Sequence, residues 1–118
     1  MSDYGKVERI IYFKDRDSMG YEIETDGETI TLKIENRNLY RGIWGIDEQN
    51  LDKLLIGKTI VNVKYNDNPQ LQDCNVIGID IFCQYGEKYT VCLWCKCDGF
   101  YCHKIDIKWA NYQNEMLL

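Results

Sequence analysis

The chain has 118 residues, 45% of them hydrophobic, and a formal net charge of −5 from 14 Lys and Arg against 19 Asp and Glu. That length suits one domain, 1–118, with one core, able to bury roughly 65% of the surface of the unfolded chain. The negative field opposes direct binding to duplex nucleic acid or anionic membranes, no run approaches the ~18 apolar residues of a spanning helix, and Met1-Ser2-Asp3-Tyr4-Gly5 has no basic start leading into an apolar stretch.

The expectation is therefore a cytoplasmic protein. Val7 to Phe13 reads as a first strand, and the polar cluster Lys14 to Ser18 as a loop. Asp26-Gly27 then sits between two alternating runs, the signal for a type I′ hairpin turn with φ > 0 at both central residues. Centring the turn there pairs Ile23 with Ile30 and Tyr21 with Leu32. One face then carries Tyr21, Ile23, Ile30, Leu32 and Ile34, the other Glu22, Glu24, Thr29, Thr31 and Lys33. Between positions 15 and 28, Asp15, Asp17, Glu22, Glu24, Asp26 and Glu28 face only Arg16. Such a row is either a solvated strand face or a binding surface.

Arg37 to Gly45 has neither period and reads as a structured loop holding Tyr40 and Trp44 between and beside Arg37 and Arg41. Trp44 and Leu39 either plug one end of the core, or Arg37, Tyr40, Arg41 and Trp44 form a binding loop. Asp47 suits an N-cap for a short helix with Leu51, Leu54 and Leu55 on one face and Gly57 as its stop. Thr59 to Tyr65 reads as a strand, and Asn66-Asp67-Asn68-Pro69 as a turn into a polar loop.

Val76 to Gln84 and Tyr89 to Cys97 flank a tight turn with Gly86 at its first central position, and Asp98-Gly99 predicts a further hairpin. The second register sets Cys95 opposite Cys102 and Trp94 opposite His103. Together they place Ile79, Ile81, Cys83, Cys92, Trp94, His103, Ile105 and Ile107 on one face. The fold class is mainly β, with two antiparallel hairpin or meander halves packed as a sandwich or a strongly bent sheet, plus one short helix. A weak internal duplication, 7–57 and 58–110, fits the repeated Asp-Gly pattern, and exposed strand edges would allow a homodimer.

The motifs Thr25-Asp26-Gly27-Glu28-Thr29-Ile30-Thr31-Leu32-Lys33-Ile34-Glu35-Asn36, Trp44-Gly45 followed by Leu51 to Ile56-Gly57, and Gly99-Phe100-Tyr101-Cys102-His103 span about four-fifths of the chain between them. In them the chain resembles a domain-of-unknown-function family of small phage and bacterial proteins. Members tend to have Cys-Cys-Glu before the Trp-Gly, where this chain has Leu39-Tyr40-Arg41, and a glycine where it has Cys102. Any site built on that cysteine pair is absent here. The resemblance implies a phage or mobile-element setting inside a bacterial host, where small acidic proteins often bind and block host machinery.

Six cysteines, Cys74, Cys83, Cys92, Cys95, Cys97 and Cys102, lie in the second half, and in a reducing cytosol an even count does not imply a disulfide framework. On a regular strand Cys92 and Cys95 point to opposite faces, leaving Cys95, Cys97 and Cys102 as an incomplete zinc set. The other readings are apolar filling and a strained Cys95–Cys102 cross-strand bridge. His103 is the single histidine, and no nucleophile, base and orienter are spaced for catalysis. No cofactor motif occurs, and no catalytic residue is assigned.

Two binding functions of different class follow. The acidic face, Glu22, Glu24, Asp26 and Glu28, with Glu22 and Glu24 ~7 Å apart along a strand, would mimic a phosphate row and block a host protein or ribonucleoprotein, such as a nucleic-acid-guided defence effector. Alternatively Arg37, Tyr40, Arg41 and Trp44 would stack on a base, hold its phosphates and sequester a nucleotide signal. A structural zinc-binding module is the third reading.

Overall fold

A computed structural model describes residues 5–36, 44–46, 51–67, 75–96, 103–109 and 112–117. In chain order they form β1 (Gly5–Lys14), β2 (Ser18–Thr25), β3 (Thr29–Asn36), β4 (Trp44–Ile46), α1 (Leu51–Leu55), β5 (Thr59–Asn66), β6 (Asn75–Cys83), β7 (Lys88–Cys95), β8 (His103–Trp109) and β9 (Tyr112–Leu117). The strands make one antiparallel sheet in the order β4-β7-β6-β5-β1-β2-β3-β8-β9.

The seam in this sheet lies between β1 and β5, which share only the pairs Gly5↔Ile60 and Lys6↔Thr59. Backbone bonds from Val7 N–H to Lys58 C=O (2.8 Å) and from Gly57 N–H to Val7 C=O (2.9 Å) brace it. Each strand at the seam carries a bulge, Glu8 being the extra residue in β1 and Val61 in β5. An extra residue moves the alternation on by one. Thus Val7 is buried with Ile10 half-buried, and Ile60 and Val63 are both buried despite their odd spacing.

Beyond the seam the sheet forms two layers. One is β1-β2-β3-β8-β9, contributing Tyr21, Ile23, Ile30, Leu32, Ile34, Ile105 and Ile107 to the core; the other is β5-β6-β7-β4, contributing Ile60, Val63, Ile77, Ile79, Ile81, Val91, Leu93 and Cys95. These side chains form one cluster with Leu51 and Leu55 of α1, and a Cβ on Gly45 of β4 would lie 3.8 Å from the Met19 sulfur across the layers. Burial of each such aliphatic side chain contributes about 1.5 to 3 kcal/mol. The expected bent, two-halved β fold is therefore present. All described strands of the second layer fall within 44–95, between β3 and β8, which are themselves neighbours through pairs running from Ile30↔Trp109 to Asn36↔His103.

The β2–β3 register is the expected one, with Tyr21↔Leu32 and Ile23↔Ile30. Its turn is different. Positive φ occurs at Gly5, Gly57 and Gly86, not at Gly27, so the turn is not type I′. The Thr25 hydroxyl organises it instead, accepting from the N–H of Gly27 (3.2 Å) and Glu28 (2.7 Å) while donating to the Glu28 carbonyl. Thr25 N–H donates to the same carbonyl at 3.0 Å. A hydroxyl that closes the turn removes the need for left-handed backbone.

The second half differs more. At β6–β7 the loop is three residues, with Cys83 N–H bonded to Glu87 C=O, Gly86 N–H to Cys83 C=O, and Gly86 at φ 86°. This loop sets Ile81 opposite Tyr89 and Ile79 opposite Val91, an odd shift from the two-residue turn expected there. Val91, Leu93 and Cys95 consequently enter the core, while Cys92 and Trp94 lie on the other side, half-exposed. The hairpin expected across Asp98-Gly99 does not form, because β7 is paired on both edges, to β6 and β4, and β8 on both edges, to β3 and β9. The Asp98-Gly99 dipeptide itself lies outside the described residues. Trp44 and Gly45, expected in a loop, are in the short strand β4.

Candidate functional site

The acidic hairpin face was expected to present Glu22, Glu24, Asp26 and Glu28 as a row. Their surroundings divide them. Glu24 is engaged by Arg9 on β1, Nε to Oε2 at 3.1 Å, which neutralises it locally. Asp26 Oδ1 accepts from the Lys6 backbone N–H at 2.8 Å, while its own N–H donates to Lys6 C=O at 3.0 Å, so this turn residue secures the start of β1. Glu28 turns partly inward, and its Oε2 is buried with no hydrogen-bond partner among the described residues. Glu22 alone of the four stands at mid-strand, level with Ile11 and Thr31, with no ion pair or side-chain hydrogen bond among the described residues.

The same face carries Lys33, where the alternation places it, and Arg9, which the neighbouring strand β1 supplies. Lys33 lies 3.4 Å from Glu35 and 4.0 Å from Asp106. At one end of it, Asp15, Arg16, Asp17, Ser18, Lys33 and Glu35 surround an open polar depression of about 330 Å³. Asp15, Arg16 and Asp17 are exposed at this end, whereas the Asp26 end is tied into the seam.

Of the Arg and aromatic loop, Arg37, Tyr40 and Arg41 lie outside the described residues, as do the thiols Cys97 and Cys102. Trp44 is half-buried against the core and level with Cys95. Cys95 is fully buried and paired in register with Trp44 and Asn75, so it sits among apolar neighbours inside the second layer. Cys92 and Cys95 do fall on opposite faces. Among the described residues no group of three or more His, Cys, Asp or Glu is placed to hold a metal ion.

Sequence spacing did not reveal a cleft of about 350 Å³ beside the seam, where the α1–β5 turn meets the β6–β7 loop. Its walls bring together Lys6, Lys58, Cys83, Gln84, Tyr85 and Glu87, with Gly57 and Thr59 at the turn. Lys58 Nζ bonds the Glu87 carboxylate and lies 2.6 Å from the Tyr89 hydroxyl, with the Tyr89 ring centroid 5.1 Å away. The hydrogen bond to Glu87, and then that to Tyr89, hold the ammonium well above its ordinary pKa. Cys83 is 3% exposed; burial pushes its thiol up, Glu87 adds to that, and the Lys58 charge opposes it. It is thus a protonated, unreactive thiol at neutral pH. The signal present in sequence was the pair Gly57 and Gly86, both left-handed, each turning one wall of the cleft.

Asp80 is a second group that the pattern understated. It is 7% exposed, and its carboxylate accepts two contacts from Asn66 Nδ2, at 3.1 and 3.2 Å, and one from the Thr90 hydroxyl at 2.6 Å. These bonds fasten β5, β6 and β7 together across the side of the sheet away from the core.

Compared with protein-family models, curated proteins and solved structures, the chain matches none. Among the described residues, no helix is long and apolar enough to cross a membrane.

Proposed function

We propose that this chain is an acidic binding module of a phage or mobile-element setting, which captures and blocks a host protein with a basic, nucleic-acid-binding groove, such as a nucleic-acid-guided defence effector. The net charge of −5 supports an anion mimic, since it speeds encounter with a basic groove and repels the nucleic acid that competes for it. The observation carrying the reading is Glu22: a carboxylate on a strand hydrogen-bonded along both edges, without a neutralising partner among the described residues. A strand paired on both edges holds that charge in a fixed position, as mimicry of a backbone phosphate requires.

The structure-guided test reverses Glu22 and the exposed loop residue Asp17, leaving Glu24, Asp26 and Glu28 to their structural bonds. With a purified nucleic-acid-guided nuclease, the unmodified protein should reduce loading of target nucleic acid, and E22K with D17K should weaken that inhibition at least tenfold at an unchanged thermal midpoint. Undiminished inhibition by the double variant removes the acidic face from the mechanism. No inhibition by the unmodified protein removes this class of partner.

A further inference from the structure

We propose that the cleft beside the seam is a binding site for a small phosphate ester carrying an amino-substituted planar ring, a mononucleotide-sized ligand, distinct from the acidic face. Its volume, about 350 Å³, lies at the lower end of the range for small-molecule sites. Three chemically different groups converge on it. Lys6 supplies an exposed ammonium with no ion pair among the described residues, and Lys58 a second ammonium, fixed in direction by Glu87 and Tyr89. Thr59 and Gln84 add neutral polar groups on the wall between them. Together these form a phosphate subsite on a protein whose overall charge is negative.

The second group is Tyr85, which lines the cleft yet is 87% exposed. A large aromatic ring held that far into water at the tip of a three-residue loop is not packed into the core formed by the described residues. A planar ring entering the cleft would stack on it, an interaction that is tolerant of ring identity. The third group is the Glu87 carboxylate. Its charge is matched by Lys58, so it does not repel an anion strongly, and its remaining lone pairs accept from a ring amine. The three groups therefore read a ligand along its length, with phosphate towards the lysines, ring over Tyr85 and amine towards Glu87.

The test uses the intact protein and adenosine 5′-monophosphate as probe, with ribose 5-phosphate and inorganic phosphate as comparators, followed by amide chemical shifts and titration calorimetry. Binding should move the amides of Gly57, Lys58, Gln84 and Gly86, and Tyr85→Ala should weaken it at least fivefold. Because Tyr85 is almost wholly exposed, that variant keeps its fold. Lys6→Gln should weaken binding and flatten its salt dependence, since the Lys6 backbone bonds remain. Shifts confined to other surfaces, equal affinity for ribose 5-phosphate, or full affinity in Tyr85→Ala would each overturn the assignment, as would no detectable binding at millimolar probe.

Discussion

Gly20 shows how tightly single residues are constrained. It is buried in β2, and a Cβ there would collide with the Leu32 carbonyl and lie 2.7 Å from the Phe13 ring. Backbone cannot yield as a flexible side chain does, so Gly20→Ala should cost about 3 kcal/mol or prevent folding, read from urea denaturation. Titration at the cleft gives a second residue-scale prediction. Cys83 and Lys58 both have folded pKa values above their unfolded ones, so each stabilises the fold fully below its unfolded value and loses that contribution as pH rises through the folded value. The windows open at about pH 8.5 for the thiol and about 10.4 for the ammonium. The urea midpoint should therefore fall as pH is raised from 8 to 11. Cys83→Ala should flatten the earlier part of that fall and Lys58→Met the later part, and parallel profiles in all three proteins would refute the assignment.

At the scale of elements, the three-residue loop between β6 and β7 decides which face of β7 is buried. Gly86 at φ 86° has open space around its missing Cβ, so substitution there tests backbone strain alone. Gly86→Ala should lose about 1 to 2 kcal/mol in denaturant unfolding without changing the core. Much of β2–β3 could be read directly from sequence, because alternation and turn position agree on one register and a slip would expose Ile23 and Ile30. At β6–β7 two loop lengths are compatible with Tyr85-Gly86-Glu87-Lys88, and their registers bury opposite sets of alternating residues. At β7–β8, local turn chemistry competes with long-range partners, and β4 and β3 occupy the edges that a hairpin would need. The acidic row was legible as composition. The Arg9 and Lys6 contacts that divide it come from β1, the neighbouring strand, which spacing within the hairpin does not encode. The cleft is non-local in the same way, since Lys58 and Glu87 are separated by 29 positions.

For the whole molecule, the pairs β1 with β5 and β3 with β8 bring together segments far apart in the chain. Closing such loops before any contact rewards them is slow, so refolding should occur on the millisecond-to-second scale. Stopped-flow fluorescence of the tryptophans measures this, and microsecond refolding would contradict the topology. The adjacency of β3 and β8 has a further consequence for ancestry and engineering. Asn36 and His103 stand opposite each other, so the polypeptide leaves one meander, builds a complete second layer, and resumes where it left. That is the layout of a guest inserted into a host: the five flanking strands could be spliced by a short turn without rethreading a single ladder. The apolar side chains left uncovered, Ile23, Leu32 and Ile105 among them, would measure how far the host has come to depend on its guest.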